Sequence, residues 1–492
     1  MTDFVSSLGR FLLRLALGFG LFAALSRLLF GQRITAMIAL TWKAAFRFRL
    51  FLVITFLLLG AVVGLPILIK DDGTAQGFTQ ILLTYTLSSV TGLLGLSTLW
   101  LACGTLARDI EERQLQMLAV KPIARWQIWI GKWLGIMSIN AALLAISGVS
   151  IYTLLQVRAN HLPPDQQAIL RNEVLVARGS AREKGNISEE IDREADRVLR
   201  ERLAASPVSQ ADLAEVRKQI REQVKAEYQI VPPGYQKVWT IDLGRAKNSL
   251  RDRPLQLRIK FNSADKSPSG TFDGVWFIGV PQKTALWRSE VMSLAPDTFH
   301  EFRIPPNLFD ENGLLTIAFA NPNNTALLIT IEEGMEVLYH EGGFGLNFFR
   351  GLGIILCWMG LLASIGLASA SFLSFPVAAF FALGLLTMVF ASGTISGAVT
   401  DGTIMGFNSE TGKSGHTLAD NVIIPFFRAA LNVIRLAKDF SPIDFLSTGR
   451  SITWSQLGLA FAQIILLLGG IAGIGGMVIL SRRELATAQA SQ

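Results

Sequence analysis

Charge is scarce in this chain. Asp, Glu, Lys and Arg make up 17% of its 492 residues and apolar types 50%, where a soluble domain carries about 25% charge. That shortage excludes an ordinary soluble protein, and the apolar surplus excludes a disordered or fibrous one. Cysteine is almost missing. Cys103 and Cys357 both sit in apolar runs, so neither a disulfide framework nor a cysteine-rich metal centre can be built. Histidine occurs four times, as His161, His300, His340 and His416, scattered without ligand spacing, and reads as surface or structural. Neither His-Glu-x-x-His nor Gly-x-Ser-x-Gly is present, which leaves metallohydrolase and serine-hydrolase chemistry without a motif. Gly406 to Ser414 looks like a phosphate loop, but its five residues between the glycines are one more than that loop allows.

Long apolar sequence is what the chain has in quantity. A hydrocarbon core about 30 Å thick takes roughly 20 helical residues to cross. Leu50 to Ile69, Phe78 to Ala107 and Trp133 to Val157 meet that length as three spans, the second long enough to reach into the headgroups. Gly345 to Thr400 is too long for one crossing, and Ser374-Phe375-Pro376 breaks it into a fourth and a fifth span, because proline cannot continue a helix ladder. Leu457 to Leu480 is the sixth. Apart from end groups such as Arg350, the spans hold no acid or base, which argues against an ion-coupled carrier. They hold hydroxyls instead: Thr84, Thr86, Ser88, Ser89 and Thr91 in the second, Ser392, Thr394 and Ser396 in the fifth. Gly60-x-x-x-Gly64 and Gly469-x-x-x-Gly473 permit close helix approach.

Phe11 to Phe30 has the length of a span but carries Arg14 and Arg27, so it is an interfacial helix or a seventh span. It lacks the order of regions expected of a cleaved signal peptide. Ile34 to Arg49, with Trp42, Lys43, Arg47 and Arg49, reads as a basic interfacial helix. Flanking charge then sets the orientation. Residues 1–49 hold seven basic and one acidic residue, 108–132 five and three, and the tail after 480 two and one. Six spans put all three on one side, the cytoplasm, with both termini inside a plasma (bacterial inner) membrane. The segment 157–345, with 24 basic and 26 acidic residues, and the loop 401–454, with five of each, fall outside. The net charge of +7 is therefore mainly a topology signal and gives no support to a nucleic-acid partner.

Within the outer region, Ile187, Ile191, Ala195, Val198 and Leu199 recur at helical spacing, and Leu213, Val216, Ile220 and Val224 continue an apolar stripe beyond Pro207. Residues 158–232 read as helical, with a hairpin, and Ser209 with Asp212 as a helix start. After Pro232-Pro233-Gly234 the pattern becomes β-rich. Candidate strands are Lys237 to Leu243, Leu255 to Phe261, Gly274 to Val280, Ala285 to Met292, Thr298 to Ile304, Leu314 to Phe319, Ala326 to Ile331 and Met335 to Tyr339. Eight short strands predict a β-sandwich or jelly roll over 235–341. Trp239, Trp276 and Trp287 read as core residues before ligand platforms.

The expected fold is an α-helical polytopic membrane protein with six spans, or seven, and an extracytoplasmic helical hairpin plus β-sandwich. Interfacial helices occupy 1–49 and spans one to three 50–157. The outer domain is 158–345, and spans four to six occupy 346–492 around the external loop 401–454.

The informative stretch lies between the second and third spans, at 108–132. Ile110, Met117 and Leu118 can line one side of a short charged helix, Pro122 breaks it, and Trp126, Trp129 and Trp133 mark an interfacial re-entry. Such a segment can transmit a push from a soluble partner, and a plain interfacial loop would look similar. The order of an acidic pair, then Leu118, Pro122, Arg125 and Gly131-Lys132, resembles the first cytoplasmic loop of permease subunits of type-2 ABC exporters. The basic helix before the first span and the six-span count resemble that family too; residues 1–30 do not. The resemblance implies that Arg108, Asp109, Glu111, Glu112, Arg113, Leu118, Lys121, Pro122, Arg125, Gly131 and Lys132 form a coupling loop that docks on a separate cytoplasmic ATPase. Where the family often has Gly-Thr after the acids, this chain has Arg113-Gln114.

The implied partners are that ATPase, which would carry the ATP and Mg, and a second permease copy or a related permease. Membrane lipids and an envelope component at the outer domain complete the set. No cofactor and no metal site is expected on this chain. The competing expectation is a membrane-anchored receptor or scaffold whose β-domain binds envelope polymers or proteins.

Overall fold

The computed structural model describes residues 31–68, 74–114, 123–160, 162–170, 174–183, 187–205, 213–263, 265, 269–331, 334–404, 407–408, 413–414, 419–438 and 440–483. The expectations for 11–30, Pro207, Ser209 and Asp212, Leu118, Lys121 and Pro122, and most of the Gly406–Ser414 stretch lie outside these residues. The chain divides into two compact units, one running to Leu175 and resuming at Phe344, the other Val176–Gly343.

The first unit is helical. Helix α1 (31–47) is followed by α2 (Arg49–Leu68), α3 (Ala75–Glu111) and α4 (Arg125–Ala159). After the second unit come α5 (Phe344–Ala370), α6 (Phe375–Phe390), α7 (Ser392–Asp401), α8 (Asp420–Lys438) and α9 (Trp454–Arg482). Helices α2, α3, α4, α5 and α9 are long and apolar enough to cross a membrane, and the bent pair α6–α7 would make a sixth. The protein is a polytopic membrane protein. Helices suit that setting because their backbone groups are satisfied within the segment. The 37 residues of α3 extend about 55 Å at 1.5 Å each, well beyond the hydrocarbon. Its start is fixed by Thr74, whose Oγ1 accepts the Gly77 N–H at 3.1 Å.

Two expectations change here. The fifth span is not one rod: α6 and α7 are bent by 65° at Ala391. The next residues, Ser392-Gly393-Thr394, hold a helix weakly. The segment 401–454 is more than a loop, since α8 packs against α7 through one apolar face.

The second unit contains an antiparallel helix pair, Ile187–Ala205 and Leu213–Gln229, closed by Ile191, Ala195, Leu199, Ile220 and Val224 as the stripes predicted. The rest is antiparallel β-structure. Strands β1 (Val176–Ala181), β2 (Ile230–Val231), β3 (Gln236–Asp242), β4 (Leu255–Ile259), β5 (Asn262–Ser263) and β6 (Phe272–Ile278) are followed by β7 (Trp287–Arg288), β8 (Met292–Leu294) and β9 (His300–Ile304). Strands β10 (Leu314–Ala320), β11 (Leu327–Leu328) and β12 (Met335–Gly343) complete the set. The order β1-β12-β4-β9 forms one sheet and β3-β10-β6-β7, with β8 also on β6, another. Leu257 and Val337 from the first share a core with Ile241, Trp276 and Ile317 from the second, a sandwich-like arrangement. Trp239 and Trp276 are buried in it.

Strand β1 corrects the expectation of an all-helical 158–232. Val-Ala-Arg-Gly-Ser-Ala has no apolar alternation of its own and becomes a strand by pairing with β12. The expected strand at Ala285 to Met292 is interrupted. Between the pairs Phe277↔Arg288 and Gly274↔Met292 one side has an extra residue, a β-bulge. There the Ser289 hydroxyl accepts the Trp276 N–H at 2.9 Å. The strict alternation at Leu255 to Phe261 has a physical outcome on both faces. Leu255, Leu257, Ile259 and Phe261 enter the core, while Arg258 joins Glu336 at 3.2 Å and Glu301 at 3.6 Å on the other face. Arg178 pairs with Glu301 at 2.8 Å, so the four strands carry a buried ionic network, and the more exposed Arg182 joins it at Glu336 at 3.2 Å.

Candidate functional site between the second and third long helices

The loop flanked by α3 and α4 gathers five helix ends. Helix α3 stops because Arg113 adopts φ +57°, the left-handed region in which a side chain is costly and glycine is not. Glu112 and Arg113 are exposed, as is Trp126 on the first turn of α4. Glu112 Oε2 accepts from Gln114 Nε2 at 2.6 Å.

The other charged residues are tied to neighbouring helices, and of them Lys132 alone is buried. Lys132 is buried on α4, where its ammonium meets Asp109 at 2.6 Å and donates to the Thr105 carbonyl at 2.9 Å. A buried lysine needs such a counter-charge and acceptor, and together they tie α3 to α4. The Arg108 guanidinium lies between the Phe48 and Phe375 rings, 4.6 Å and 5.0 Å from their centroids. Glu111 Oε1 accepts the Phe375 N–H at 2.9 Å. That donor belongs to the first turn of α6, which starts with Phe375-Pro376 and has no side-chain cap from Ser374. A carboxylate is a favourable partner for the unsatisfied N–H groups of a helix start.

Arg125 does the reverse at a helix end. Its Nη1 donates to the carbonyls of Leu480, Ser481 and Arg483, each at 2.8 Å, the groups a helix C-terminus leaves without partners. Arg483 then donates through Nη1 to the Ser371 carbonyl at 3.0 Å, just past the end of α5. One arginine closes α9 onto α4 and the next closes α5 onto α9.

Glycine permits the remaining contacts. A Cβ on Gly131 would lie 2.5 Å from Met37 Cβ, and one on Gly135 2.6 Å from Thr41 Cβ, so α4 rests directly on α1. Trp42 Nε1 donates to Ser138 Oγ at 2.8 Å along the same contact. Gly473 and Gly476 leave room for the Trp129 indole in the same way. The Gly469-x-x-x-Gly473 motif therefore packs within the bundle, whereas Gly60 and Gly64 have no described atom within 4 Å.

The structure thus brings together Arg108, Asp109, Glu111, Arg125, Gly131 and Lys132 as a set of ties between helices, and leaves Glu112, exposed like Arg108, Glu111 and Arg113, bonded to Gln114 beside it. Sequence reasoning missed their partners Phe375, Ser371, Leu480 and Met37. The one available signal was Pro376, since a proline at a helix start announces N–H groups in want of an acceptor. Among the described residues no group of three or more His, Cys, Asp or Glu side chains is placed to hold a metal ion. Comparison of the chain with protein-family models, curated proteins and solved structures found no match.

Proposed function

We propose that this chain is the membrane-spanning permease subunit of an ATP-binding-cassette export system, driven by a separate cytoplasmic ATPase. The observation that carries the reading is the joining of helix ends where α3 stops and α4 starts. A push on Glu112 or Arg113 is passed through Glu111 to α6, through Lys132 and Asp109 to α4, and through Arg125 to α9. A loop that only connected two spans would not need ties to two further helices.

In this reading the spans number six, with α6–α7 as the fifth. The tied end and both termini face the cytoplasm, and the β-rich unit lies outside the bacterial inner membrane. The basic excess of 1–49 and 108–132 supports that orientation. The permease acts as a dimer with a second copy or a related chain, and the ATPase subunit holds ATP and Mg. The outer unit engages the substrate or an envelope component.

The test is co-purification with the ATPase encoded alongside. Charge reversal at Glu112 and Arg113 together should abolish capture while leaving thermal stability unchanged. Undiminished capture would remove the coupling role. A receptor or scaffold would show no nucleotide-dependent partner at this loop.

A further inference from the structure

The bundle contains a polar seam that the export reading does not use. Thr84, Thr91, Thr98 and Thr105 recur every seven residues on α3, a spacing that keeps them on one face. Asn140 and Ser147 keep the same step on α4. The helices run antiparallel here, since Lys132 reaches the Thr105 carbonyl while Thr98 Oγ1 lies 3.1 Å from Asn140 Oδ1. One step further along each helix stand Thr91 and Ser147.

The hydrogen-bond accounting of this seam does not close. Thr98 has a single hydroxyl proton, and the Leu94 carbonyl takes it at 2.6 Å. Asn140 Oδ1, 3.1 Å away, competes for the same proton. Asn140 Nδ2 meets no partner among the described residues, and neither do Ser147 Oγ and Thr91 Oγ1. Asn140 is 1% exposed and Ser147 fully buried. Thr79 and Thr86, by contrast, satisfy themselves on the carbonyls of Ala75 and Leu82. An amide has no such local option here, and its desolvation is uncompensated.

We propose that the α3–α4 seam binds water, held by Asn140 and Thr98 at one layer and by Thr91 and Ser147 at the next. The donor set selects the ligand. It is neutral, with hydroxyls and an amide that both give and accept protons, which matches water and offers no carboxylate to a cation. The proposal stands independently of the export reading.

Synchrotron hydroxyl-radical footprinting of the purified full-length protein tests it, because radiolysis of bound water oxidises the side chain beside it. Met359, 1% exposed, has its Sδ 3.6 Å from Thr98 Oγ1. Met37, 2% exposed and packed on Gly131, is the dry control. Met359 should oxidise several-fold faster than Met37 in the wild type, and Asn140→Leu should bring it down to the Met37 rate. Equal rates in the wild type overturn the proposal even if the variant fails to fold. An unchanged Met359 rate in a folded Asn140→Leu protein also overturns it.

Discussion

Glu111 and Phe375 are 264 residues apart in sequence and joined by one hydrogen bond, from the Phe375 N–H to Glu111 Oε1 at 2.9 Å. The last turn of α3 thereby supplies the acceptor that the first turn of α6 lacks. Two neighbouring acids, both exposed, consequently have different work: Glu111 bonds to the start of α6, and Glu112 to Gln114 beside it. Glu111→Ala should lose about 0.5–2 kcal/mol, the usual cost of a lost helix cap, and speed amide exchange at the start of α6. Glu112→Ala should do neither. Thermal unfolding in detergent with hydrogen-exchange mass spectrometry separates the two.

Gly131 and Met37 give a second prediction. With the new Cβ only 2.5 Å from Met37 Cβ, Gly131→Ala must part α4 from α1, a cost of about 1–3 kcal/mol for overpacking. Met37→Gly in the same chain, which removes the opposing Cβ, should recover part of the loss, because the two sites share one contact. An additive double mutant would contradict the contact.

Much of this fold was legible because membranes impose a length. Runs such as Leu50 to Ile69 can do little else than span, and the stripes of Ile191 and Ile220 announce a helix pair by period alone. Strand β1 was not legible: its structure is lent by β12, and its own sequence has no β pattern. The ties at the candidate site were hidden for another reason. Arg125 bonds to backbone carbonyls 355 to 358 positions away, and a backbone carbonyl has no sequence signature. The residue types at 108–132 were visible in the sequence, while their partners on other helices needed the folded chain.

Asp310 makes the β-rich unit sensitive to acid. The Leu314 N–H donates to its carboxylate at 2.9 Å, Lys283 at 3.3 Å and the Asn312 N–H at 2.9 Å. These bonds, the Leu314 one foremost, hold its pKa below the ordinary 3.8. A lowered carboxylate pKa adds stability that is fully present above the ordinary value and lost as pH falls from there through the native pKa. Asp310→Asn should raise amide exchange at Leu314 at neutral pH. It should also flatten the rise in exchange that the wild type shows on acidification, which pH-stepped exchange reads directly.

Glu336 sits between Arg258 and Arg182, with its side chain 3% exposed. Removing one member of a buried ionic network leaves the others uncompensated, at about 3–5 kcal/mol. Glu336→Ala should therefore lower the unfolding temperature of the β-rich unit far more than Glu189→Ala, whose pair with Arg193 lies in solvent. Equal effects would mean that the network carries no net stability.

The central claim is that the exposed turn at Glu112 and Arg113 is where an ATPase meets this chain. A photo-reactive amino acid placed at Glu112, and in a control at the exposed Tyr235 of the β-rich unit, tests it in native membranes. The account predicts an adduct with an ATP-binding subunit from position 112 only, in a yield that changes with added nucleotide. An ATP-binding adduct from position 235, or none from 112 while the protein is folded and abundant, would contradict it.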